Sequence, residues 1–530
     1  MTTPAAPLLA KLERALEDAE ISVPFPSAAL EELSRREQDP GLAAPNLADL
    51  SAVPFVTIDG ETSKDLDQAL YVEEKRGGFR VHYAIADTSH FVPKGGALFA
   101  AALSRGASFY LPHASVPMLP RRLSEGVVSL NEGVPRRAVV FVSELDADGN
   151  VQDTIVRRAH VRSRKKLSFP GVQRFYDGDA ALRGSPFERS LRALEAVGQA
   201  LVARAEAREV VRYRRHEVRT EISRDGTRLE AVAAARLDVE LYNEQLSLLC
   251  NREGARILYE RKGAPSVQPI YRVHPAPLEA RLSAFAAQTQ AIARAHGRDP
   301  AIFAWEGPAG PRTLAAFVAG LPRDDDRVTR AIMRQAILVN ARSSFSVEPS
   351  AHFGVGADIY ARFSAPMREI VGVFSHHELV ELLAGLGQEK EAIFADEKLR
   401  VDVVDAANRS KQTQRKLNDL VSRLVLDAIF ADDASAPAGA RPVRKGTVVG
   451  LTGAKVHVEL DDPPVDVKLY LYDLGKALGG AWLAASPDGA TLLRDKGKAQ
   501  VLRVGDEIAV TVDRHDPKTD RWVLVPVGMR

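Results

Sequence analysis

VTIDGETSKDLDQAL, residues 56–70, carries the densest group of acids beside an apolar strand in this chain. Asp59, Asp65 and Asp67 fall within nine residues, with Glu61 among them. SAVPFVTIDG, residues 51–60, reads as a strand, and a turn at Gly60 would fold Asp59 back toward the other two acids. If residues 65–67 are extended, Asp65 and Asp67 point to the same side. Hard cations such as magnesium want clustered carboxylate oxygens and keep positions open for water and phosphate. The plainer alternative is a solvated loop whose acids cap a helix beginning near Leu66. Both readings stand at this level. An EF-hand loop does not, because Gly60 follows the first Asp directly instead of occupying the sixth position.

Working outward, residues 4–38 read as two short helices broken at Pro24 and Pro26. Leu8, Leu9, Leu12 and Leu16 share one face of the first, and Leu30 and Leu33 one face of the second. From residue 51 to about 430, strand patterns (FRVHYAIA, RAVVFVSEL) alternate with long helical ones, as in one large domain mixing sheet and helix. ADDASAPAGARP, residues 431–442, has the composition of a linker. Beyond it KGTVVGL, AKVHVEL, VDVKLYL, DEIAVTV and RWVLVPV are short alternating strands between Gly and Asp turns, the pattern of a small barrel.

Lys and Arg total 71 against 70 for Asp and Glu, so any attraction to a polyanion must come from local patches. One such patch is VRRAHVRSRKK, residues 156–166, which contains no acid; it suits an RNA channel and a solvated strand edge equally well. The single cysteine, Cys250, excludes an internal disulfide and a multi-cysteine metal site. It sits in the apolar run LSLLCN and reads as core. No apolar run approaches the ~18 residues of a membrane span, and the N-terminus lacks a basic signal region, so a soluble cytoplasmic protein is expected. Phosphate-cradling Gly-Lys-Ser/Thr loops, the Gly-x-Ser-x-Gly elbow and HExxH are all missing.

Five blocks in order resemble the ribonuclease II family, whose catalytic domain is called RNB. They are VTIDGETSKDLDQAL; YAIADTSHFV with GASFYLPHASVPMLPRRLSEGVVSLNEGVPRRAVVF; NEQLSLLCN; IYRVHPAP; and HFGVGADIYARFSAPMRE. The resemblance covers most of residues 51–440. It implies a hydrolytic exoribonuclease that works processively from the 3′ end, releases nucleoside 5′-monophosphates and uses one or two magnesium ions, with manganese as a substitute. Asp59, Asp65 and Asp67 match metal-binding aspartates, and Asp67 the one on which catalysis depends most. Tyr110 matches a tyrosine that packs on the 3′-terminal nucleotide, Glu244 a substrate-positioning glutamate, and Arg368 an arginine on the scissile phosphate. His376 resumes the match after Arg368 and is expected beside substrate. The residue types suit the chemistry: paired cations stabilise both oxygens of an in-line displacement, a guanidinium fits phosphate, and an aromatic grips any base.

The chain departs from the family pattern in several places. Gln68 replaces a fourth aspartate, so it is expected as a neutral, weaker ligand in the metal site. Glu369, Ile370 and Gly372 stand where relatives carry Arg, Tyr and Asp. RRHEVRTEI, residues 214–222, has no aromatic for an inner stack. Residues 443–530 resemble the ribosomal S-one type of RNA-binding OB fold, with Lys445, Lys455, Lys468, Lys498 and Arg503 as phosphate contacts. Relatives commonly begin with two cold-shock barrels. Residues 1–50 are too few for these and read as a small helix-turn-helix-like region, which suggests a more open RNA entrance.

The expected architecture is therefore multidomain α+β. It comprises a helical region (1–50), a mixed α/β RNB-type catalytic domain (51–430), a linker (431–442) and an OB-fold barrel (443–530). The expected partner is single-stranded RNA with a free 3′ end, together with duplexes bearing a short 3′ overhang; no membrane is expected, and the protein is expected to be a monomer. Two rivals remain: a catalytically weakened RNB-type protein that binds RNA 3′ ends as a regulator, and a component of a larger degradation assembly.

Overall fold

A computed structural model describes residues 3–214, 217–261, 267–324, 326–385, 390–494 and 499–529. Its centre is a sheet built around the acidic stretch. The strands are β1 (Ala48–Asp49), β2 (Val56–Asp59), β3 (Gln68–Lys75) and β4 (Gly78–Ala86), then the separate hairpin β5 (Phe109–Tyr110) and β6 (Ser115–Val116), and finally β7 (Pro135–Asp146), β8 (Val151–Arg162) and β9 (Lys165–Ser168). The seven sheet strands lie in the order β1-β8-β7-β4-β3-β2-β9. β1–β8 and β2–β9 are parallel, and the other pairs are antiparallel.

Strand alternation gives the sheet two unlike faces. Val56, Ile58, Leu70, Val72, Tyr83, Ile85 and Phe141 pack under the helices Glu188–Ala207 and Asp238–Glu260, where Cys250 is buried. The opposite face is largely alanine at its centre: Ala69, Ala84, Ala86, Ala138 and Ala159. Such small side chains let helices approach closely. One of these helices, Ile370–Ala384, is buried along most of its first nine residues, as expected for a helix apolar all round. A Cβ at Gly372 would lie 2.8 Å from Pro366 Cα, so only glycine lets this helix start against the 365–369 turn.

The N-terminal helices form at Ala6–Asp18 and Ser27–Gln38. Leu8, Leu12 and Leu16 are buried, but Leu30 faces outward, and Ala29 takes the inner position beside Leu33. Residues 431–442 differ from the expected linker. The helix Lys390–Ser435 runs into them, and buried Asp433 accepts from Arg444 at 2.6 and 2.8 Å, so this junction is packed. All five expected C-terminal strands form one antiparallel sheet, consistent with an OB fold. A three-stranded sheet within residues 483–503 is an addition the alternation did not reveal. The C-terminal unit shares its core with helices Glu279–Ala295, Leu314–Gly320 and Arg327–Leu338. Arg327 fastens it further, donating to Asp461 and Glu507. Among the described residues no helix is long and apolar enough to cross a membrane.

Candidate active site

The acids do not cap a helix. Leu66 is buried, and residues 65–67 lead extended into β3, with Asp67 O accepting from Ala86 N at 2.8 Å. A turn forms at Gly60: Ser63 N donates to Gly60 O, while Asp59 Oδ1 accepts from Gly60 N (2.7 Å) and Ser63 Oγ (2.8 Å). Two distant residues fix the loop from outside. Ser129 Oγ donates to Lys64 O (2.7 Å) and accepts from Leu66 N (3.0 Å). Lys166, brought alongside by the parallel β2–β9 pairing, donates from Nζ to Glu61 O (2.8 Å) and Ser63 O (2.5 Å).

Lys166 thus belongs to the loop's scaffold, and Lys166→Met should loosen the placement of Asp59 and Asp65. Turnover should fall by ~10–100-fold with RNA affinity little changed, since a displacement of about 1 Å is enough for such a loss. Steady-state kinetics beside direct binding check this, and equal losses in both would assign Lys166 to RNA contact instead.

Asp67 is the centre of the site. It is 1% exposed; Oδ1 accepts from Met367 N (3.0 Å) and Oδ2 from Arg368 Nε (2.5 Å). Burial pushes its pKa up to about 6 against the pull of Arg368. Asp65 is raised too, by burial first, and also feels Arg368 and Asp59. Arg368 is held well above its ordinary value, by Asp67 first. Tyr110 is 47% exposed, and its hydroxyl lies within reach of Arg368 and of the fields of Asp65 and Asp67. Its backbone is held on both sides by Gln414, which accepts from Tyr110 N (2.9 Å) and donates to Tyr110 O (3.1 Å). The fold therefore brings Asp59, Asp65, Asp67, Tyr110 and Arg368 into one site.

Three expected residues lie elsewhere. Gln68 begins β3 on the face opposite Asp67, where its Oε1 accepts from the Tyr83 hydroxyl, so that oxygen is already engaged. Glu244 is exposed on its helix, paired with Arg236 at 2.6 Å, and lines an arginine-rich cavity of about 1020 Å³ whose wall includes none of the five site residues. His376 is wholly buried, bonded through Nε2 to Phe363 O (3.0 Å) and stacked on the Phe363 ring; it belongs to the core and is not exposed to substrate.

Burial pushes His376, and likewise its neighbour His377, down to about 4. An unfolded histidine titrates near 6.5, so between these values the unfolded chain binds protons that the folded chain refuses. Stability is full above about pH 6.5 and falls as pH drops through this window, by on the order of 2–3 kcal/mol per histidine. Denaturation followed at about pH 7 and about pH 5 checks this, and His376→Gln should flatten the difference.

The basic run is largely occupied with structure. Arg158 pairs with buried Asp87, Arg164 donates to Ser51 O, and Lys165 pairs with Glu132. Arg157 and Arg162 remain exposed. In the C-terminal unit, Lys445 pairs with Glu507 and Arg503 with Asp506; Lys455 lies over Tyr470, Lys468 is exposed, and Lys498 falls outside the described residues.

The described residues contain one group of acids with ligand atoms all within 4.8 Å of one another: Glu378, Glu381 and Asp396. Lys94 Nζ already sits on it, 2.7 to 3.1 Å from the three carboxylates, so an ammonium takes the place a cation would have. Asp59, Asp65 and Asp67 do not close to that spacing. They nevertheless offer hard oxygens, and burial raises Asp65 and Asp67 despite the pull of Arg368, so a cation beside them would favour their charged forms. This donor set fits magnesium, which commonly takes one or two carboxylates and completes its shell with water and phosphate.

The RNB domain family matches residues 47–385, and the chain belongs to that family. It is 26% identical over 486 residues to Ribonuclease R of Vibrio parahaemolyticus, covering 90% of this chain and 55% of the relative. Against Exoribonuclease 2 of Erwinia tasmaniensis it is 29% identical over 426 residues, with 79% and 60% covered. The chain thus spans a little over half the length of these curated relatives. The fold is that of Mycoplasma genitalium RNase R: the apo form superposes with a TM-score of 0.86 at 20% identity, covering 98% of this chain and 78% of that one. A second structure of that protein, in complex with ribose methylated single-stranded RNA, gives 0.84 at 20% identity, with the same coverage.

Proposed function

We propose that this chain is a metal-dependent hydrolytic exoribonuclease that shortens RNA processively from the 3′ end and releases nucleoside 5′-monophosphates. The observation that carries this reading is the convergence of Asp67, Arg368 and Tyr110 beside Asp59 and Asp65. Asp59, Asp65 and Asp67 would hold magnesium, which when bound supplies Lewis-acid stabilisation of phosphoryl charge and a more acidic water. Arg368 would turn its remaining guanidinium donors to the non-bridging oxygens of the scissile phosphate while Asp67 fixes its orientation. Tyr110, exposed on its hairpin, would stack on the terminal base.

The catalytic unit ends with the helix Lys390–Ser435, and the OB-type unit beyond it binds the incoming strand. RNA with a free 3′ end is the substrate, and the protein acts as a monomer in the cytoplasm. The likeness to RNase R in complex with single-stranded RNA supports RNA as the partner. Incubating 3′- and 5′-end-labelled single-stranded RNA with protein and magnesium tests the reading. Mononucleotides released from the 3′ end are expected. Retention of RNA without cleavage would favour a weakened, RNA-holding protein.

A further inference from the structure

A charged group beside the site has no part in the chemistry above. Glu369 follows Arg368 directly and is nearly buried. Its carboxylate accepts from Arg362 Nε at 2.8 Å and Lys411 Nζ at 2.5 Å. Arg272 lies within electrostatic reach of Glu369 and Arg362, as does exposed Arg415 of Arg272. Arg272 and Lys411 also share one ring, with the charged groups 4.5 and 6.0 Å from the Phe345 centroid. Three cations thus gather around one carboxylate, with Arg415 beyond Arg272, leaving a local excess of positive charge.

Two features suggest that this excess is for use. Arg272 Nη2 donates to Ser343 Oγ, but Nη1 is buried with no hydrogen-bond partner among the described residues. Arg362 and Lys411, although bound to Glu369, keep 32% and 36% of their side chains exposed. The group also shares a wall with Tyr110. Ser108 N donates to Arg368 O, Ala107 bridges to Glu369, and Gln414, which grips the Tyr110 backbone, lies three residues along the helix from Lys411.

We propose that Arg362 and Lys411, held together and oriented by Glu369, form with Arg272 a second phosphate subsite that takes a backbone phosphate of RNA on the 5′ side of the scissile bond. This rests on the reading that the RNA 3′ end sits at Asp67. Glu369 acts as a positioning residue: without it the two cations would repel each other and splay. Because only one of the gathered charges is neutralised, the subsite still attracts phosphate.

The test measures binding of a single-stranded oligonucleotide across a range of salt, without magnesium, to the parent, Lys411→Gln and Arg362→Gln. Two variants are used so that misfolding of one, seen by thermal unfolding, leaves the other to decide. Each should weaken binding by about tenfold at low salt, the scale of a charge-assisted hydrogen bond. Each should also make the plot of log affinity against log salt shallower by about 0.7, one phosphate contact of a single strand. A dinucleotide, too short to reach the subsite, should show neither change. Unchanged affinity and slope in a folded variant would overturn the proposal. So would adenosine monophosphate competing as well as the oligonucleotide, which would make the group a mononucleotide pocket. If the parent binds with these dependences yet never cleaves RNA in magnesium, the subsite stands and the exonuclease reading falls.

Discussion

Asp67→Asn should reduce RNA shortening by at least ~10³-fold while leaving RNA affinity near that of the parent, because it removes charge where the reaction needs it and touches little of the binding surface. The substitution keeps shape. The amide oxygen can still accept from Met367 N, but its nitrogen then meets Arg368 Nε, donor against donor. Arg368 also loses its ion-pair partner. It is 36% exposed on its side chain and can be hydrated, so the loss should appear in turnover far more than in folding. Single-turnover decay of end-labelled RNA, beside direct binding, separates the two effects. Turnover near the parent's at saturating magnesium would remove Asp67 from the chemistry.

Asp87→Ala should cost ~3–5 kcal/mol of stability, the largest effect we expect from any single change outside the site. Asp87 directly follows β4, next to Ala86, whose N–H holds the Asp67 carbonyl. It is fully buried and accepts from Arg137 Nε (3.1 Å), Arg158 Nη2 (2.8 Å) and Ser89 Oγ (2.9 Å). Burial works to raise its pKa, but the guanidiniums of Arg158 and Arg137 outweigh it, and the net shift is downward. A carboxyl depressed in the folded state stabilises above its unfolded value, and that contribution is lost as pH falls through the folded one. The deficit of the variant should therefore be complete at neutral pH and shrink in acid. Arg137, itself 3% exposed, is the residue left stranded. A chain of this size need not unfold in one step, so a probe of the central sheet is the proper readout. A loss under ~1 kcal/mol would mean that water replaces the carboxylate between the two arginines.

What this sequence determines by itself is local. Apolar strand-like runs place β2, β4 and β7, which are buried on both faces, and period-two patterns place the five C-terminal strands, because a half-buried strand alternates whatever lies across from it. The acidic signature, Tyr110 and Arg368 are legible because they sit in ordered motifs. The same kind of reading misplaces His376 and Gln68, since neighbours along the chain do not say which face a residue takes. That His376 turns inward is decided by the alanine face that draws its helix down, and Gln68 is turned to Tyr83 by the pleat. Nor does any local pattern mark Ser129, Lys166, Gln414 or the Glu369–Lys411 pair. Asp67 and Arg368 meet across 301 residues, and Tyr110 and Gln414 across 304. Only the packed sheet, with a parallel β9 beside β2 and a long helix behind the hairpin, brings such groups within hydrogen-bond range. Residue types announce the chemistry here, while tertiary packing decides which of them can take part, because the deciding contacts join segments from about a dozen to some three hundred residues apart.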